Sequence, residues 1–84
     1  MDINDRRATK YARSCFIKRG IDLQMADVRV QHGVCFVRGC IQAAAKVSMK
    51  SVEHEAYLVT QIIRRSPDIK ECVLECTYKE QWFN

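Results

Sequence analysis

Apolar positions along the first part of the chain recur at helical spacing. Ala8, Tyr11, Ala12, Cys15 and Phe16 form one stripe of a helix over residues 5–19. Asn4 or Asp5 can cap its start by accepting orphan backbone N–H groups, and Gly20 can close its end. Arg6, Arg7, Lys10, Arg13 and Lys18 lie opposite the stripe, with Ile17 among them.

The period then changes to two. Val28 and Val30 alternate with Arg29 and Gln31, His32-Gly33 makes a tight turn, and the return strand runs to Gln42. This predicts a hairpin over residues 27–42, with Cys35, Val37, Gly39 and Ile41 on one face and Val34, Phe36, Arg38 and Cys40 on the other. Residues 42–50 read as a loop. A second helix is expected over residues 49–65, capped by Ser48 or Ser51, with Met49, Val52, Ala56, Val59 and Ile63 as its stripe and Pro67 enforcing its stop. A last strand over residues 70–78 alternates Cys72, Leu74, Cys76 and Tyr78 with Val73, Glu75 and Thr77, and a tail over residues 79–84 carries Trp82 and Phe83. The fold class is therefore α+β: a two-layer αββαβ sandwich, with a three-stranded mixed sheet and two helices on one face.

Length and composition narrow this picture. A chain of 84 residues holds one core, and a core that small is marginal without staples or partners. No uncharged run approaches the ~20 residues of a spanning helix. The opening residues contain no apolar signal-peptide core, and the five cysteines, an odd number, suit a reducing compartment; a cytoplasmic location is expected. A net charge of +4 is compatible with an anionic partner, and equally with solubility alone.

From Val28 to Tyr78 the chain resembles a BON domain, the bacterial module named after osmotic-stress and nodulation proteins. The resemblance lies in Val28-x-Val30-x-x-Gly33-x-Cys35-x-Val37-x-Gly39-x-Ile41. It continues in the helix ending at Ser66-Pro67-Asp68-Ile69 and in Cys72-x-Leu74-x-Cys76-x-Tyr78. The likeness implies the αββαβ order and a non-enzymatic role. That role is attachment to membrane or phospholipid, binding of a small ligand or ion in some members, or assembly through the domain.

Candidate chemistry is sparse. Neither His32 nor His54 has a nucleophile or carboxylate at a catalytic spacing, and no phosphate-binding or nucleophile motif occurs, so no enzyme activity and no cofactor are expected. Alternation places Cys35, Cys72 and Cys76 on one sheet face, with Cys15 on the helix stripe facing them. Their spacings are unlike zinc modules, so they read as core residues rather than metal ligands. The basic face (Arg6, Arg7, Lys10, Arg13, Lys18) is either a solvated surface or a contact for an anionic membrane. It lacks the interleaved aromatics of single-strand binding, and no nucleic acid is expected. Val34, Phe36 and Val73 share the sheet face away from the helices, with Arg38 as a polar rim. Either Trp82 and Phe83 cover them, or that face binds a protein partner or a second copy. Gly39, placed mid-strand, is expected to admit a helix or a bend.

Overall fold

A computed structural model describes residues 3–45, 47 and 49–80, and the order of elements is α1 (Ile3–Lys18), β1 (Ile21–Asp22), β2 (Ala26–Gln31), β3 (Val34–Ala43), α2 (Val52–Ile63) and β4 (Glu71–Lys79). The architecture is α+β as the periodicities predict. The sheet, however, has four strands rather than three. The additional strand, β1, has only two residues, too few to register as an alternating pattern.

Strand β3 is the middle of the sheet. It pairs antiparallel with β2 through the His32-Gly33 turn, in the register Gln31↔Val34 to Ala26↔Gly39, and parallel with β4 from Val34↔Glu71 to Gln42↔Lys79. Both turn residues have positive φ, +52° at His32 and +81° at Gly33, the geometry that matches the twist of a two-residue hairpin. Strand β1 continues the same edge as β2, pairing Ile21↔Ala43 and Asp22↔Gln42. Between Asp22 and Met25 the edge strand carries one residue more than β3 does between Gln42 and Cys40, whose N–H reaches the Met25 carbonyl at 2.9 Å. The two edge strands are thus one strand interrupted by a β-bulge.

Helix α1 buries Ala8, Ala12, Cys15 and Phe16, while Tyr11, expected in the same stripe, sits at its margin and is 39% exposed. The helix begins at Ile3, so Asn4 and Asp5 lie inside it rather than capping it. Asp5 does another job: its carboxylate accepts the His32 N–H at 3.2 Å. One turn on, the Thr9 hydroxyl donates to the Asp5 carbonyl at 2.8 Å and accepts the outward N–H of Val30 at 2.9 Å. Helix α1 therefore satisfies backbone donors along the outer edge of β2.

Helix α2 starts after Ser51, whose hydroxyl accepts the His54 N–H at 3.2 Å; Ser48 lies outside the described residues. The helix is shorter than residues 49–65, with half-buried Met49 in the approach and Arg64 as the C-cap. The Glu80 carboxylate accepts the Val52 N–H at 2.7 Å, which ties the end of β4 to the positive end of α2. Phe16, Val28, Val30, Cys35, Val37, Ile41, Val52, Val59 and Ile63, each at most 2% exposed, form the centre of the core. They lie between the helices and one face of the sheet.

Of the two expected reasons for Gly39, the bend holds and the approaching helix needs correction. A Cβ there would lie 2.6 Å from the Met25 carbonyl oxygen and 3.1 Å from the Ala26 Cα, and its φ is +95°. The constraint is the backbone of the adjacent bulged strand, which cannot move without breaking the Cys40–Met25 hydrogen bond. Gly39→Val should lower stability by about 1–3 kcal/mol through strain and overpacking. Urea unfolding measures this, and an unchanged midpoint would remove the constraint.

Candidate functional site

The face of the sheet away from the helices is built by strand alternation. Register sets Arg29, Phe36 and Val73 in one row across three strands, Gln31, Val34 and Glu71 in the next, and Asp27, Arg38 and Glu75 on the other side. Val34, Phe36 and Val73 thus come together as expected. They are half-buried rather than bare. The Arg38 guanidinium sits 5.1 Å from the centroid of the Phe36 ring, and its Nε lies 3.4 Å from the Glu75 carboxylate. The cation shields the ring it also stacks on. Trp82 and Phe83, the proposed cover, lie outside the described residues.

The outer edge of β4 adjoins this face. Strand β4 has nine residues and pairs only with β3 among the described residues. Its helix-side row, Cys72, Leu74, Cys76 and Tyr78, packs against the core and stays half-buried, because the core centre lies under β2 and β3. An unpaired edge does not show in a hydrophobic pattern, and periodicity alone could not find it.

The basic face of α1 is present. Arg6, Arg7, Lys10 and Lys18 are exposed and Arg13 is half-buried. The ion pairs among the described residues use Arg19, Arg29 and Arg38, so these five cations stand outside them. Arg13 also borders an open groove of about 310 Å³ with Ile17, Ile21, Asp22 and Leu23. The Gln24 N–H at 2.9 Å and the Gln42 amide at 3.0 Å hold the Asp22 carboxyl below its ordinary value. Sequence reasoning missed this groove, since its walls come from α1, β1 and the loop after β3, three segments that no motif links. A second groove, about 280 Å³, opens between α1 and α2 at Tyr11, Cys15, Lys18, Arg19 and Ile62.

All five cysteines are free thiols. Cys35 and Cys72 are direct partners across the parallel β3–β4 ladder, and Cys35 is fully buried. The neighbouring Cys72 thiol, with burial, pushes Cys35 far above the ordinary thiol value, and the Cys35 thiol in turn draws Cys72 down. Burial raises Cys76, and burial followed by the nearby Cys76 raises the Tyr78 phenol. Among the described residues no three His, Cys, Asp or Glu side chains gather as a metal would require. His32 and His54 are exposed, the first in the hairpin turn and the second in the first turn of α2. No helix among the described residues is long and apolar enough to cross a membrane.

No known family, curated protein or solved structure matches the chain.

The thiol pair sets a pH dependence. In the unfolded chain both thiols ionise near the ordinary value of 9.0, whereas the folded pair keeps the Cys35 proton well beyond it. The depressed Cys72 offsets part of this difference, while the raised Cys76 and Tyr78 add to it. Groups raised in the fold stabilise it fully below their unfolded values, and that stability is lost as pH rises past them. The urea midpoint should therefore fall from about pH 8 to about pH 10, and Cys35→Ala should flatten the slope even as it lowers the midpoint. A wild-type midpoint constant over that range would contradict the assignment.

Proposed function

We propose that this chain is a non-enzymatic interaction and assembly module of BON type, acting by self-association or by docking a protein partner. The observation that carries the reading is the side of the sheet away from α1. There Val34, Phe36 and Val73 lie beside the outer edge of β4, which has no strand partner among the described residues. Apolar strand surface beside an unpaired edge favours association, because both the side chains and the backbone groups gain from a neighbour. The likeness of Val28–Tyr78 to BON domains supports the same class.

The test is sedimentation equilibrium from about 1 µM to about 500 µM, a range that spans weak interfaces. The weight-average mass should rise with concentration. Phe36→Glu should weaken association while the circular dichroism spectrum stays native, since Phe36 points away from the core. A strictly monomeric wild type throughout would rule out self-association and leave only protein docking.

A second reading is binding to an anionic phospholipid surface through α1. It is favoured by the exposed Arg6, Arg7, Lys10 and Lys18, which lie outside the ion pairs among the described residues. Its apolar stripe is committed to the core, so the contact would be electrostatic, without insertion. Co-sedimentation with vesicles containing phosphatidylserine should be lost at about 0.5 M salt, where the Debye length is about 4–5 Å, and in Arg6→Glu/Lys10→Glu. Equal binding to vesicles of neutral lipid alone would exclude this reading.

A further inference from the structure

The two edges of the sheet are treated differently. Along β2, the hydroxyl of Thr9 takes the outward N–H of Val30, and the Asp5 carboxylate takes that of His32. Nothing comparable protects β4 among the described residues. The direction of its free groups follows from the ladders. The Cys40 N–H points to Met25, and the hairpin closes at Gln31↔Val34, so the even-numbered residues of β3 face β2 and the odd-numbered ones face β4. In the parallel register that runs from Val34↔Glu71 to Gln42↔Lys79, the backbone groups of Cys72, Leu74, Cys76 and Tyr78 then point outward.

We infer that β4 pairs antiparallel with β4 of a second copy about a two-fold axis at Glu75, joining two sheets into one. This inference rests on the assembly reading above and names its surface. The sequence of β4, Glu-Cys-Val-Leu-Glu-Cys-Thr-Tyr-Lys, is what points to a copy of itself. With the axis at Glu75, Glu71 of each chain lies opposite Lys79 of the other, so opposite charges meet at both ends. Leu74 faces Cys76 of the copy and Cys72 faces Tyr78, each pair exchanging two hydrogen bonds through the outward groups. The pairing also keeps every side chain on its own face. The half-buried row of Cys72, Leu74, Cys76 and Tyr78 continues across the joint beside the same row of the copy, and Val73 meets Thr77 on the other face. At the axis Glu75 meets its own copy. Arg38, 3.4 Å from each Glu75, offsets that like-charge contact, and the association is weak and reversible.

The experiment is a charge exchange read by sedimentation equilibrium at low salt. Glu71→Lys and Lys79→Glu each set like charges opposite one another at both ends, and each should weaken association by about tenfold. The double variant Glu71→Lys/Lys79→Glu should restore it to within about threefold of wild type, since opposite charges face again. Both positions are exposed, and circular dichroism checks that each variant is folded. Independently of any variant, amide exchange in the wild type should slow with concentration at Leu74, Cys76 and Tyr78, whose N–H groups point outward. If the wild type associates and neither the charge exchange nor those amides respond, the β4 pairing is wrong while the assembly reading stands. A wild type that never associates overturns the β4 pairing together with self-association, and leaves only the docking of a protein partner.

Discussion

Everything in this fold is hung on β3. It is hydrogen-bonded along both edges, antiparallel to β1 and β2 and parallel to β4, and its inward residues Cys35, Val37 and Ile41 are fully buried. A central strand has no freedom of register, because a slip of one residue would turn its core face to the outside. The parallel pairing then requires a crossover, and α2 supplies it, held at its start by Ser51 and by Glu80 at the far end of β4. The Ser51 cap and the Glu80 carboxylate thus serve the sheet as well as the helix.

The bulge next to Gly39 shows how a local irregularity is shared between strands. The edge strand carries an extra residue before Met25, which brings its carbonyl against β3, and only a residue without a side chain fits opposite it. Asp22 stabilises the same region by accepting the N–H of Gln24 and the amide of Gln42, so both strands flanking the bulge are tied by one carboxylate. Beside it lies the groove that Arg13 and Ile17 share with Asp22 and Leu23. The edge strand is irregular where α1 ends and regular where Thr9 and Asp5 hold it.

The two faces and two edges of the sheet divide the work of a small domain. One face makes the core, and α1 satisfies one edge. The opposite face and edge keep surface that the fold itself does not use, softened by the Arg38 contact with Phe36. A chain of 84 residues can build a core without committing all its apolar side chains, and what remains is available for association.

The order of α1, β2, β3, α2 and β4 (though not the two-residue β1), the hairpin turn and the separation of Phe36 and Val73 from Cys35 and Leu74 were legible in the sequence. They follow from periods of about 3.6 and 2, from Gly33, and from Pro67 after α2, all of them local consequences of backbone geometry. Glu71 was legible only as a charge near the start of the last strand, and Lys79 was assigned to the tail, whereas β4 runs to Lys79. That β4 is an edge, that it runs parallel to β3 and which of its groups point outward depend on which strands become neighbours, and no local pattern encodes a neighbour. The same holds for Asp5 and Thr9, whose types suggest caps. Their partners His32 and Val30 lie more than 20 residues away in sequence, brought within reach only by the packing of α1 on β2. Gly39 combines the two cases: its presence mid-strand announced a constraint, but the carbonyl of Met25 that imposes it was placed by tertiary structure, because the close approach belongs to two strands at once.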